Sequence, residues 1–179
     1  MKQVQISDKK FKLYLQYEDI QKAVDNVAEK LNADLKDVDT PLFLGVLTGS
    51  FMFLGDLMKR INLPCDVVFI RLASYEGTSS TGKVQEVMGL TTSVKDRTVV
   101  VVEDIIDTGT TITELSQILK NAGAKEVKIC ALLLKPGNYK GNVKIDYAAL
   151  QIPNDFIVGY GLDYNQLGRQ YKDIYVIDE

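Results

Sequence analysis

Apolar residues recur along this chain with two alternating spacings, and each spacing predicts a different kind of element. The first helical segment covers residues 18–35, and its apolar positions, three and four residues apart, are Ile20, Val24, Val27, Leu31 and Leu35. Such a stripe is typical of an amphipathic helix. Two more helical stripes follow residues 48–50 and residues 107–111, and the second of them ends at Gly123.

Strand-like segments separate these helices. Short, unbroken apolar runs are typical of strands that are covered on both faces. The predicted strands span residues 42–47, 66–72, 99–102, 127–134 and 145–150. Strands that alternate with helices predict an α/β fold with a mainly parallel central sheet and helices on both faces. The sequence shows no repeat and no linker, so its 179 residues are expected to form one domain, 1–179.

Residues 74–93 differ from the rest of the chain because they are rich in Gly, Ser and Thr and have no sustained period. A segment of this length predicts a flexible functional loop, and residues 83–88 within it predict a short hairpin. Residues 77–83 also fit the G-x-x-x-x-G-K pattern of a nucleoside triphosphate loop. Val84 stands where that motif needs Ser or Thr, and no helical stripe follows. A P-loop NTPase is therefore a disfavoured alternative.

Composition narrows the function classes. The formal net charge of −3 predicts that neither nucleic acid nor an anionic membrane is a partner. The N-terminal segment lacks the apolar core of a signal peptide, and Cys65 and Cys130 are expected to be reduced thiols of a cytoplasmic protein. The chain has no histidine, which leaves acid–base chemistry to carboxylates, Lys, Tyr or Cys.

The most polar residues follow the valine strand 99–102, at the strand end where open α/β sheets bind ligands. The acidic pair Glu103 and Asp104 suits ribose hydroxyls, a hard metal ion or a proton to be moved. The residues that then lead into a helix are Asp107, Thr108, Gly109, Thr110 and Thr111. A helix N-terminus with a glycine and three hydroxyls suits a phosphate monoester. The alternative is that Asp107 or Thr108 is only the helix N-cap.

The whole string from residue 99 to residue 111, VVVVEDIIDTGTT, resembles the signature of the type I phosphoribosyltransferases, which bind 5-phosphoribosyl-1-pyrophosphate. Other segments are similar to the hypoxanthine-guanine branch of that family: VLTGSFMFLGDL at 46–57, RLASY at 71–75, LLLKP at 132–136 and IPNDFIVGYGLDYNQLGR at 152–169. The resemblance implies the family's α/β fold, with a small hood region from the termini and a flexible lid at about 74–93.

The same resemblance implies a purine salvage enzyme that transfers 5-phosphoribosyl to N9 of hypoxanthine or guanine. The implied products are IMP or GMP and pyrophosphate, the implied cofactor is Mg²⁺, and the implied assembly is a homodimer or homotetramer. Asp107 is implied as the general base for the purine N7 proton. Glu103 and Asp104 are implied to hold the ribose or metal, and residues 107–111 to bind the 5-phosphate.

The purine and pyrophosphate contacts are implied by the remaining motifs. Lys135 is implied to donate to O6 of the base, an atom that adenine replaces with an amine. Phe156 is implied to stack on the purine and Ile157 to read its edge through the backbone. Asp163 is implied to lie near the base as a purine-binding residue and to help hold a second Mg²⁺. The residues implied to contact pyrophosphate are Thr48, Gly49, Ser50 and Arg169, and those of the lid are Ser74 and Tyr75.

One position departs from the family pattern, because Thr48 stands where a Lys or Arg is common. The resemblance also implies a cis peptide before the glycine of this loop, at Thr48–Gly49. Two alternatives stay open beside the main interpretation. One is a xanthine-preferring phosphoribosyltransferase. The other is a regulatory relative without catalysis, which the presence of Asp107, Lys135 and Arg169 disfavours.

Overall fold

The computed structural model describes residues 2–74, 84–90 and 92–178. Tyr75 and the triphosphate-loop pattern at 77–83 lie outside the described residues. The elements in chain order are β1 (Gln3–Ile6), β2 (Lys9–Leu15), α1 (Tyr17–Asp34), β3 (Leu42–Leu47), α2 (Phe51–Met58), β4 (Asp66–Ser74), β5 (Val84–Met88), β6 (Thr98–Ile106), α3 (Thr110–Asn121), β7 (Glu126–Leu134), β8 (Tyr147–Gln151), β9 (Ile157–Val158) and β10 (Ile174–Ile177).

The central sheet has six strands in the order β5-β4-β3-β6-β7-β8. Five of them, β4, β3, β6, β7 and β8, pair in parallel, and β5 pairs antiparallel with β4 at the edge. The mainly parallel sheet predicted from the alternating spacings is confirmed. Strand β6 lies in the interior of the sheet, which explains why its four consecutive valines are fully buried.

Successive side chains of β6 point to opposite faces of the sheet and enter two separate cores. Val100 and Val102 pack with α1 and α2 on one face. Val99 and Val101 pack with α3 on the other. Helices therefore cover both faces, as predicted. Burial of each such aliphatic side chain contributes about 1.5–3 kcal/mol to folding, so the four valines hold both layers to the sheet.

A second, smaller sheet is built from both ends of the chain, in the antiparallel order β1-β2-β10-β9. Its core consists of Ile6, Phe11, Val158 and Tyr175. The apolar spacing predicts none of these four strands, because each is short or only partly buried and its alternation is incomplete.

Two boundaries on the central sheet differ from the predictions. Strand β6 continues to Ile106 instead of ending at Val102, because its ladder with β7 includes Glu103 and Ile105. Residues 84–88 form a single strand on the edge of β4 rather than a hairpin of their own. A triphosphate loop requires a helix at that place, so the P-loop alternative does not fit this fold.

Candidate active site

Three loops that follow neighbouring strands meet at one edge of the central sheet. They are residues 48–50 after β3, residues 107–109 after β6 and residues 135–140 after β7. Because these strands are parallel and adjacent, their carboxyl ends lie side by side. A cavity of about 330 Å³ at this edge is lined in part by Thr48, Gly49, Glu103, Asp104, Thr111, Asp163 and Arg169. A smaller one, of about 100 Å³, is lined by Glu103 and residues 105–112.

Residues 107–111, which we name the phosphate loop, wrap the smaller cavity. Gly109 has a φ of 87° and is itself the N-cap residue of α3, with no side-chain cap hydrogen bond. The N-cap alternative for Asp107 and Thr108 is therefore wrong. A β-carbon at Gly109 would lie 2.3 Å from the ring of Tyr139, so both conformation and space require glycine. The first amides of α3 are left for a ligand.

Asp107 and Lys135 form an ion pair across the mouth of the phosphate loop. The Lys135 Nζ atom lies 3.0 Å from Oδ2 of Asp107, and Nδ2 of Asn138 donates to Oδ1 at 2.9 Å. Partial desolvation alone would raise the pKa of Asp107, but the hydrogen bonds from Asn138 and Lys135 outweigh it and hold that pKa below its ordinary value. The Lys135 side chain is only 8% exposed, so it is not a solvated surface charge.

The acidic pair lies at the junction of the two cavities. Glu103 is buried, and desolvation together with the neighbouring Asp104 raises its pKa well above the usual value. Desolvation also raises the pKa of Asp104 to about 6, although the Ile105 amide donates to its Oδ1 at 2.8 Å. Neither carboxylate forms an ion pair with another described residue. Burial of two adjacent carboxyl groups without an ion-pair partner therefore disfavours their charged forms.

The turn after β3 corrects one expectation about the backbone. The cis peptide lies between Leu47 and Thr48, so the expected cis bond at Thr48–Gly49 is wrong by one residue. No proline marks the bond in the sequence. Gly49 is required for a different reason: a β-carbon there would lie 1.4 Å from Oδ2 of Asp104. Ser50 is fully buried, and its hydroxyl donates to the Val46 carbonyl at 2.6 Å.

Asp163 and Arg169 close the larger cavity from the loop between β9 and β10. Their side chains form an ion pair at 2.7 Å. Arg169 also donates from Nη1 to the Gly161 carbonyl at 2.8 Å, while Oδ2 of Asp163 accepts from the Gln166 amide at 2.7 Å. This internal pairing holds the guanidinium at the wall of the cavity, where its remaining donors suit a phosphate group.

A metal site with three carboxylates is not preassembled. Across the described ranges, no group of three or more Asp, Glu, Cys or His side chains is placed to hold a metal ion. Asp163 is engaged by Arg169 and by the Gln166 amide, which explains why it does not join the acidic pair. The proposed metal ligands Glu103, Asp104 and Asp163 therefore remain a prediction.

The residues expected to hold the purine differ in exposure. Phe156 is 45% exposed and lies against Phe11 and Tyr164, with ring centroids 6.3 and 5.9 Å away. An exposed ring backed by other rings is suited to stacking on a planar ligand. Ile157 is buried in β9, and the neighbouring Phe156 carbonyl accepts from the Ile177 amide. Of the lid, Ser74 ends β4 opposite Val84, and the role expected for it stays a prediction.

Two parts of the site were missed from the sequence. Asn138 and Tyr139 carry no motif, but they follow the carboxyl end of β7, which is a positional signal for a ligand site. Tyr160 is fully buried, and its hydroxyl donates to Asp56 Oδ2 at 2.6 Å. That bond ties the loop of Arg169 to α2, and only a contact map could have found it.

No helix in the described part of the chain is long and apolar enough to span a membrane.

Comparison with known proteins agrees with the geometry of the site. The family model of the phosphoribosyl transferase domain matches residues 14–165. The hypoxanthine-guanine phosphoribosyltransferase of Bacillus subtilis is 37% identical over 167 residues, which cover 93% of this chain and 92% of that protein.

Solved structures show the same relationship. A hypoxanthine phosphoribosyltransferase from Staphylococcus aureus superposes with a TM-score of 0.86 at 36% identity, covering 93% of this chain and 91% of that one. The hypoxanthine phosphoribosyl transferase of Trypanosoma cruzi gives a TM-score of 0.88 at 30% identity, with 98% and 95% covered. The chain therefore belongs to the phosphoribosyl transferase family, in its hypoxanthine-guanine branch.

Proposed function

We propose that this protein transfers the 5-phosphoribosyl group of 5-phosphoribosyl-1-pyrophosphate to N9 of hypoxanthine or guanine in purine salvage. The products are IMP or GMP and pyrophosphate. The relatives reported above carry hypoxanthine or hypoxanthine-guanine phosphoribosyltransferase in their names, and that supports the choice of base.

The observation that carries the proposal is the pairing of Asp107 with Lys135 beside the phosphate loop, at 3.0 Å. A 6-oxopurine presents O6 and N7 next to each other on one edge. Lys135 donates to O6, and Asp107 accepts the proton from N7, so this pair matches that edge in both position and polarity. Adenine carries an amine instead of O6 and so offers the Lys135 ammonium no acceptor on that edge of the base.

The remaining side chains serve the sugar and the leaving group. The phosphate loop binds the 5-phosphate through the first amides of α3 and the threonine hydroxyls. Positive charge grows on the ribose as the bond to pyrophosphate breaks, as in other glycosyl transfers. Arg169 and the turn of Thr48 and Gly49 hold the departing pyrophosphate, and Asp107 takes the N7 proton while N9 bonds to C1 of the ribose.

The acidic pair fits a magnesium ion. Glu103 and Asp104 would supply hard oxygen ligands for such an ion, and burial raises the pKa of both carboxyl groups. When bound, Mg²⁺ neutralises charge on the pyrophosphate. Asp163 would add a ligand for a second ion only after its pairing with Arg169 rearranges. The same carboxylates can instead hold the ribose hydroxyls.

The proposal extends to assembly and location. Phe51, Val67 and Phe69 are each about 40% exposed, and exposed large apolar side chains favour contact between subunits. We assign them to the interface of a homodimer or homotetramer, which light scattering on the purified protein would test. Both cysteines are free, which suits a cytoplasmic enzyme.

A spectrophotometric assay with 5-phosphoribosyl-1-pyrophosphate and Mg²⁺ tests the reaction. Hypoxanthine, guanine, xanthine and adenine are each supplied as the only base. We expect turnover with hypoxanthine and guanine and none with adenine. A preference for xanthine would show that xanthine, and not hypoxanthine or guanine, is the substrate. No turnover with any base would refute the proposal.

A further inference from the structure

The turn formed by residues 135–140 is bonded at one point to the end of β6 and at another to the phosphate loop. The amide of Lys135 donates to the Ile106 carbonyl at 3.0 Å, and the amide of Lys140 donates to the Thr108 carbonyl at 3.1 Å. These bonds flank Asn138 on both sides. The backbone of Asn138 is therefore held at a fixed distance from the loop that it faces.

Within this turn, Asn138 is fixed toward Asp107. Its amide donates to the Lys135 carbonyl at 3.1 Å, and its side-chain Nδ2 donates to Oδ1 of Asp107 at 2.9 Å. Lys135 binds the other carboxylate oxygen, Oδ2. The two oxygens of Asp107 thus have two donors of different kinds, one a neutral amide and one an ammonium.

Lys135 and Asn138 are expected to behave differently when a base binds. In the proposed function Lys135 turns to O6 of the purine, and its bond to Asp107 Oδ2 is then lost or shared. Asn138 has no such competing acceptor among its described contacts. We propose that Asn138 is the positioning residue that keeps the Asp107 carboxylate aimed at N7 while Lys135 engages O6, an inference that rests on the proposed function.

The electrostatics of the loop agree with this role. Among the described residues, Lys135 is the charged group paired with Asp107, and Glu103 lines the same small cavity. Desolvation acts to raise the pKa of Asp107, and the Asn138 hydrogen bond is the first of the effects that lower it. Loss of that bond therefore raises the pKa of Asp107 and makes the carboxylate protonated over a wider acid range.

The test compares Asn138→Asp and Asn138→Ala with Asn142→Asp. Asn138→Asp keeps the side-chain shape but removes the donor and adds a like charge. Asn142 is exposed on the same connection between β7 and β8, so Asn142→Asp makes the same chemical change away from Asp107. Single-turnover rates of transfer to hypoxanthine are measured from pH 5 to 9, because they separate chemistry from product release.

We expect both Asn138 variants to lose about tenfold in rate near neutral pH and to shift the acid limb upward by about one pH unit. The affinity for 5-phosphoribosyl-1-pyrophosphate and the melting temperature should match those of Asn142→Asp. An unmoved acid limb would overturn the proposal, and so would a parallel loss of melting temperature, affinity and rate.

An Asp107→Asn variant separates this inference from the proposed function. If Asp107→Asn is inactive and Asn138→Asp behaves like the wild type, the positioning role is wrong while the base assignment stands. If Asp107→Asn transfers at the wild-type rate, the base assignment itself is wrong, and the role of Asn138 falls with it.

Discussion

Gly161 lies directly against Gly49. A β-carbon at position 161 would be 2.0 Å from the Gly49 carbonyl oxygen, and Gly161 has a φ of +100°. The loop that carries Asp163 and Arg169 thus contacts the turn after β3 backbone to backbone. The two walls of the larger cavity are held together at this point, without any intervening side chain.

Gly161→Ala should therefore separate these walls. The methyl group meets fixed backbone, and alanine disfavours the positive φ, so we expect a loss of about 1–3 kcal/mol in stability and a rise of about tenfold or more in KM for 5-phosphoribosyl-1-pyrophosphate. Gly55→Ala in α2 is the matched control, because nothing lies within 4 Å of its added carbon. That variant should keep the wild-type KM and melt no lower than the wild type. Equal behaviour of the two variants would contradict the contact.

Lys135→Met tests how the base is selected. Methionine keeps most of the length but donates nothing to O6, so kcat/KM for hypoxanthine should fall about 10- to 100-fold. Activity with adenine should not fall, and the preference for the oxopurine shrinks accordingly. Lys144→Met serves as the control, because Lys144 is exposed and pairs with Asp146. An unchanged ratio of hypoxanthine to adenine in Lys135→Met would remove this lysine from base selection.

Tyr160→Phe tests the bond between α2 and the loop of Arg169. The buried Asp56 loses one donor, and we expect about 1–2 kcal/mol of destabilisation at pH 7. Burial acts to raise the pKa of Asp56, but hydrogen bonds from Lys59, Tyr160 and Gln21 hold it below its ordinary value. The stabilisation is therefore complete above about pH 4 and is lost as the pH falls further.

Without the Tyr160 hydroxyl, the pKa of Asp56 in the folded state rises toward its unfolded value. Unfolding free energies of the wild type and Tyr160→Phe should consequently converge between pH 7 and pH 3 in urea titrations. Tyr171→Phe is the control, because no hydrogen bond of its hydroxyl occurs in the described ranges. A difference that stays constant with pH would show that Asp56 is not the partner that matters.

Asp104→Asn tests the cost of burying a charge at the acidic pair. The pKa of Asp104 is raised to about 6 by desolvation, above its unfolded value, so in EDTA the wild type should lose stability as the pH rises from 4 to 7. In Asp104→Asn this loss of stability should be smaller by roughly 1–2 kcal/mol, so the variant should melt a few degrees higher than the wild type at pH 7.5. Transfer activity should fall sharply. Glu29→Gln, on an exposed part of α1, is the control and should leave stability and transfer activity unchanged. A lower melting temperature for Asp104→Asn than for the wild type would show that the buried Asp104 charge is not destabilising.

The sequence predicts which segments form the central sheet better than it predicts where each strand ends. The four valines of β6 are buried on both faces, and a run of this kind signals an interior parallel strand without any other information. The same strand continues past Val102, but the polar residues Glu103 and Asp104 interrupt the apolar run from which it was predicted. The continuation depends on backbone pairing with β7 and not on apolar side chains. Strand β10, near the end of the chain, pairs with β2, near its start, and local spacing does not contain that relationship.

Some residues of the candidate site could be predicted from the sequence and others could not. Motifs identify the residues proposed to contact the substrate, such as Asp107 and Arg169, because that chemistry demands particular side chains. Asn138 and Tyr160 contact Asp107 and Asp56 instead, and many side chains could make such contacts in a different backbone. The position of the cis bond at Leu47–Thr48 belongs to the same group, since the sequence around it contains no proline.

In the proposed reaction Asp107 is the base, paired with the lysine that donates to O6. The most direct measurement is the single-turnover rate of transfer to hypoxanthine by Asp107→Asn, with the affinity for 5-phosphoribosyl-1-pyrophosphate measured on the same protein. We expect the rate to fall by about 100-fold or more while the affinity changes less than threefold, roughly 0.6 kcal/mol. A rate equal to that of the wild type would contradict the claim.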